Sequence, residues 1–133
     1  MTDPDAPSRE DPKWSEFCHW ISSDIKLPSV ESIASAENFE ASAVSGKKEI
    51  IEYMGPAPPA STFFIPYGWR LLIEVSETGK HRYAFLLYRH GPNTKDLTGP
   101  KERKNWGTGK PRHGARQWAK DHDLTLVGMF SSG

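Results

Sequence analysis

Prolines at positions 4, 7 and 12 shut the first 13 residues out of a helix interior and out of a central strand. The whole chain carries 11 Pro and 11 Gly among its 133 residues, so loops take a large share of it. What lies between the loops is short. Trp14 to Leu27 holds Phe17-Cys18-His19-Trp20-Ile21, which reads as a buried strand. Glu49 to Tyr53 reads as a short strand running into the turn Gly55-Pro56-Ala57-Pro58-Pro59. His81 to Tyr88 is the strongest strand by aromatic content. Residues 28–48 read as a loop or a short helical excursion, and residues 91–112 as a loop. Ala115 to Lys120 fits a short helix, and Leu124 to Val127 closes as a strand. Ala6-Pro7 can take the cis form. The sum is a mainly β chain with a late helix.

Length points to a single domain spanning residues 1–133. A hydrophobic content of 36% and a mean hydropathy of −0.64 suffice for one modest core. Five Trp, six Phe and four Tyr argue against wholesale disorder. Cys18 is the single cysteine, so no intramolecular disulfide forms. Thr2-Asp3-Pro4-Asp5 is unlike a signal peptide, and no apolar run reaches membrane-spanning length. These features predict a soluble protein of a reducing compartment, cytoplasmic, with peripheral membrane contact at most.

Charge is unevenly divided. Residues 1–60 carry 11 acidic and 5 basic side chains, and residues 61–133 carry 6 acidic and 12 basic. The basic excess peaks between Lys95 and Lys120. It suits either a solvated face or an anion-facing surface. No nucleic-acid motif accompanies it, so no nucleic-acid partner is expected.

Asp3 and Asp5 sit two apart around a proline; His19 lies in an apolar strand, and His81 stands two residues before Tyr83. Two carboxylates, two imidazoles and a phenol can form a pocket that binds an anion, holds a metal or performs acid–base chemistry. Each is equally at home as a structural residue. Cys18 beside His19 suggests a nucleophile and its base, but neighbours on a strand face opposite ways. Ser8 and Ser15 lack the G-x-S-x-G context of a hydrolase.

Three separated blocks combine these residues into a recognisable pattern. DPDAPSREDPKWSEFCHWI, EYMGPAPP and HRYAFLLYRHG together resemble the phosphatidylethanolamine-binding protein family. KWSEFCHW, IEYMGPAPP and RKNWGTG…QWAKDHDLTLV are most similar to its fungal branch, the carboxypeptidase Y inhibitor type. The resemblance implies an antiparallel β-sandwich with peripheral helices, incomplete at the N-terminus. It implies a small pocket for phosphate or a phosphoethanolamine headgroup, lined by Asp3, Asp5, His19, His81 and Tyr83. Gly55 and Pro58 would belong to one wall, with Trp14 and Phe17 at the rim. Cys18 stands where other branches have a second histidine, and Ala57 where many relatives have glycine. The family works by binding rather than catalysis, so no catalytic residue, metal or cofactor is expected. The implied partners are headgroups and a serine carboxypeptidase or signalling protein.

In relatives the TDPDAPSR segment is internal, whereas here it follows Met1; the expectation is a chain that starts at an internal methionine. Residues 62–77, TFFIPYGWRLLIEVSE, interrupt a loop that in relatives runs directly into His-Arg-Tyr. Two readings of this insertion stand: a short retained intron read in frame, or a true hairpin that lids the pocket. Functionally, the leading expectation is a non-catalytic binding protein acting as a protease inhibitor or signalling regulator. A metal-dependent hydrolase and a non-functional truncated or mis-spliced product are the alternatives.

Overall fold

The computed structural model describes residues 1–26, 48–56 and 80–132. Six strands occur among them: β1 Thr2–Asp3, β2 Phe17–Cys18, β3 Ile21–Ser23, β4 Lys48–Ile51, β5 Tyr83–His90 and β6 Leu124–Ser132. One helix, α1, spans Ala115–Asp121, and a 3-10 turn spans Lys104–Gly107. Strands β2-β1-β5-β6 form one antiparallel sheet in that order, and β3 pairs with β4 in a second. The expectation of a mainly β, antiparallel chain with a late helix is met. The insertion at 62–77, Pro58 and most of the 28–48 loop lie outside the described residues.

β5 and β6 dominate the larger sheet because both are long and rich in aromatic and branched residues. Tyr83 aligns with Ser132 at one end and His90 with Leu124 at the other. Between Leu87–Gly128 and Tyr88–Leu126 the register shifts, leaving Val127 as the extra residue of a bulge. β6 runs well past its apolar Leu-Thr-Leu-Val start, since pairing with β5 carries it on to Ser132. α1 matches its sequence signal to within one residue.

The stretch expected to be one strand, Phe17 to Ile21, is instead split between the two sheets. Cys18 faces Thr2 of β1, while Ile21 faces Ile51 of β4. The residues between them turn their amides elsewhere: His19 N–H and Trp20 N–H both donate to the Met1 carbonyl. Apolar periodicity marks burial here correctly but cannot show which sheet each half joins.

The core gathers where the two sheets and α1 meet. Cys18, Ile21, Trp106 and Ala115 are buried together, with Ile50, Ile51, Leu86 and Trp118 packed against them. The Trp106 and Trp118 rings lie 5.6 Å apart, and Trp106 Nε1–H donates to Thr2 Oγ1 at 3.0 Å. Placing that indole requires an unusual backbone. Asn105, Trp106 and Gly107 have φ of 51°, 48° and 71°, three left-handed residues in succession. The conformation costs a non-glycine residue about 1–2 kcal/mol. Burial of the indole offsets it, as does Asn105 Nδ2 donating to the Lys13 and Ser15 carbonyls.

Candidate functional site

The site forms where the start of β1 meets the start of β5. The turn Asp3-Pro4-Asp5 has no room for an ordinary ladder, and Asp3 Oδ1 instead accepts the Asp5 amide at 2.7 Å. That bond orients the remaining oxygen, and Asp3 Oδ2 accepts from His81 Nδ1–H at 2.7 Å. His19 Nε2 stands 3.9 Å from the same oxygen, an electrostatic approach rather than a hydrogen bond. Its other nitrogen, Nδ1, donates to the Met54 carbonyl at 2.8 Å. Both imidazoles are therefore oriented through Nδ1–H and leave Nε2 for the site; the tautomers follow from these partners.

Burial of this polar group is nearly complete. Asp3 is 2%, His19 6% and His81 8% exposed. Burial pushes the Asp3 carboxyl up, but the interactions with His19 and His81 and the Asp5 amide outweigh it, so it remains below its ordinary value. It is thus a carboxylate, bonded to His81 and facing His19. Tyr83 closes the group, edge-on to His19 at 5.5 Å and stacked near His81 at 6.3 Å between ring centres. Burial, then the negative charge of Asp3 and Asp5, holds its phenol above the ordinary value, so it remains a neutral hydrogen-bonding group. Phe17 packs on His19 at 4.9 Å.

One atom in this assembly is unsatisfied: His81 Nε2 is buried with no hydrogen-bond partner. Leaving a polar atom unpaired costs about 1–3 kcal/mol, so an orphan beside an oriented carboxylate–imidazole pair marks a place for a ligand atom. In its neutral form Nε2 offers a lone pair; as imidazolium it offers a donor to an oxyanion. Among the described residues no group of three His, Cys, Asp or Glu side chains is arranged to hold a metal ion.

The predicted residues divide. Asp3, His19, His81, Tyr83 and Phe17 come together. Asp5 is adjacent but turned away from them. Its carboxylate accepts from Arg82 Nη2 at 2.7 Å, Arg82 Nε at 3.0 Å and Arg9 Nε at 3.1 Å. These hydrogen bonds, opposed by burial, bring its pKa down to about 2. Gly55 follows Met54 at the edge, where an added β-carbon would lie 4.0 Å from the Tyr53 ring. Trp14 lies beneath Lys104 Nζ at 4.3 Å, and its backbone is tied to Ala6 and Asn105. Cys18 is fully buried and its thiol is raised to about 11 by that burial, which removes it as a nucleophile for His19.

Two contributors have no obvious signal in the sequence. Met54 acts through its carbonyl, which side-chain chemistry does not announce. Arg103, part of the basic stretch, points its guanidinium at the Cys18, His19 and Glu52 carbonyls at 3.2, 3.0 and 2.9 Å. It fastens the segment bearing His19 to the end of β4, so part of the basic excess is structural. Arg82, the immediate neighbour of His81, turns to Asp5 with both its amide and its guanidinium.

A family model described as phosphatidylethanolamine-binding protein matches residues 1–67. The chain is 42% identical to carboxypeptidase Y inhibitor of Saccharomyces cerevisiae, covering 96% of this chain and 53% of that protein. It is 32% identical to protein MOTHER of FT and TFL1 homolog 2 of Oryza sativa subsp. japonica, covering 95% and 52%. A crystal structure of carboxypeptidase Y inhibitor complexed with the cognate proteinase superposes with a TM-score of 0.66 at 38% identity, over 98% of this chain and 54% of that one. The chain spans about half the length of the curated relatives it matches. With the antiparallel architecture and a matched sequence running through Asp3, Asp5 and His19, the chain belongs to the phosphatidylethanolamine-binding protein family.

Proposed function

We propose that this chain is a non-catalytic binding protein whose Asp3–His19–His81–Tyr83 pocket receives a phosphate or phosphoethanolamine headgroup, and that it inhibits a serine carboxypeptidase. The observation that carries the pocket is the buried, unpartnered Nε2 of His81, held in place by its own Nδ1–H bond to Asp3. A phosphoryl oxygen supplies the missing partner. The Asp3 carboxylate keeps the bound imidazolium neutralised, and the Tyr83 hydroxyl adds a second donor. Similarity to carboxypeptidase Y inhibitor, at 42% identity, supports the inhibitory role. A cytoplasmic setting goes with this reading, checked by cell fractionation.

Phosphoethanolamine titration followed by NMR gives saturable shifts at His19, His81 and Tyr83. A folded sample with no shift at any of the three residues overturns the pocket. Failure to slow a purified serine carboxypeptidase overturns the inhibitory role and leaves the pocket standing.

A further inference from the structure

A second cleft opens on the far side of Asp5. Its volume is about 280 Å³, and Asp5, Arg9, Ser15, Glu16, Arg82 and Arg112 line it together with Pro4 and Pro12. None of Asp3, His19, His81 or Tyr83 takes part, so the cleft is separate from the histidine pocket. We propose that it is a second oxyanion site, selective for a phosphoryl dianion presented as free phosphate or as a small phosphomonoester.

Charge comes first. Three arginines and two acidic residues line the cleft, and both carboxylates are already engaged. Asp5 accepts from Arg9 and Arg82, while Glu16 Oε2 accepts from the Ala115 amide at 3.3 Å and Thr2 Oγ1 at 3.5 Å. Arg112 forms no ion pair among the described residues. Arg9 commits only its Nε–H to Asp5, and Arg82 only Nε–H and one Nη2 donor, which leaves both forks with free N–H groups. Guanidinium groups suit phosphoryl oxygens because they donate in parallel pairs.

The second observation is independent of charge. Ser15 is 1% exposed, lines the cleft, and its Oγ has no hydrogen-bond partner. Its carbonyl is fully used, accepting from Arg112 N–H at 2.6 Å and Asn105 Nδ2 at 2.9 Å. The same bonds hold the Arg112 backbone against Ser15 and build that wall. A buried hydroxyl of this kind finds its partner in the bound oxyanion. The site stands without the reading of the histidine pocket.

The test is an NMR titration of the 133-residue chain with inorganic phosphate, and in parallel with O-phosphoserine, followed at the Ser15 amide and the Arg9 and Arg112 Nε–Hε groups. Arg82 is left out as a reporter because it adjoins His81. Saturable shifts at these groups are expected with a dissociation constant different from that read at Tyr83. Arg112→Gln should weaken binding at Ser15 and Arg9 by roughly tenfold or more and leave the Tyr83 curve unchanged. Ser15→Ala should weaken it less, without loss of folded signal dispersion. Response to phosphate but not O-phosphoserine assigns the site to the free ion, and response to both extends it to monoesters. Absence of saturable shifts at Ser15, Arg9 and Arg112, or an Arg112→Gln curve that matches the parent at Ser15, overturns the proposal.

Discussion

The two ends of one sheet invert the usual rule of what is buried. At the β1–β5 start, the ionisable residues Asp3 and His81 are 2% and 8% exposed. Along the β5–β6 pair, Met129 and Phe130 are 70% and 66% exposed, and Phe85, Leu87, Leu126 and Val127 are between 40% and 54%. Several of these residues line a broad concave space of about 930 Å³ together with Met1, Trp20 and Ile21. The difference is partnership. A carboxylate with an amide and two imidazoles around it can leave water, because its hydrogen bonds are replaced. An apolar side chain leaves water only if something packs on it, and among the described residues these side chains stay largely open to water.

The largest effect should come from breaking the polar end. Asp3→Ala removes the acceptor of His81 Nδ1–H and of the Asp5 amide, and leaves two imidazoles in a buried space without their carboxylate. The expected loss is about 3 kcal/mol, seen as a lower midpoint in urea unfolding with an unchanged slope. A loss within about 0.5 kcal/mol would mean that the network is open to water, and would erase the contrast between the two ends.

Much of this contrast is visible in the sequence, and the part that is not has physical causes. The aromatic alternation of residues 81–88 marks β5, and Asp3, His19, His81 and Tyr83 stand out as candidates for a polar convergence. Convergence itself is long-range: His81 meets Asp3 across 78 positions, a separation that no local pattern carries. The Phe17–Ile21 run reads as one strand because periodicity reports burial, not sheet membership. Resemblance places Trp14 at the rim, and the cation that meets its ring, Lys104, lies 90 positions away, beyond any local pattern. The left-handed Trp106 is invisible, since in that turn only Gly107 and, more weakly, Asn105 have residue types that favour positive φ. Asp5 groups with Asp3 because they are two apart, but the proline between them turns one carboxylate to a histidine and the other to two arginines.

Those two aspartates give the next, smaller test. Asp5 has its pKa lowered from 3.8 to about 2 through Arg82 and Arg9. A depressed carboxylate stabilises the folded state above its ordinary value and loses that contribution as pH falls through the folded value. Stability should therefore fall between pH 3.8 and about 2. Because Arg82 and Arg9 are 59% and 46% exposed at their side chains, solvent screening limits the Asp5 share to about 1 kcal/mol. Asp5→Asn should flatten this part of the urea midpoint against pH. A profile as steep in Asp5→Asn as in the parent would assign the acid limb to Asp3 instead, and would make the histidine pair the stronger of the two.

The smallest effect on stability belongs to the apolar end. Phe130 contacts Phe85 across the strands at 6.3 Å between ring centres, but most of its surface faces water. Phe130→Ser keeps the ladder, which runs through the backbone, and gives up only a half-formed ring pair. The midpoint in urea should move by about 0.5 kcal/mol or less. Solubility should change far more, because the substitution removes an exposed ring from the sheet face that Phe130 shares with Phe85 and Leu87. Sedimentation across a concentration series reads this directly, with less self-association in the variant. If instead Phe130→Ser costs as much as Asp3→Ala, the face is covered in the folded protein. The polar and apolar ends would then obey the same rule, each buried because each is partnered.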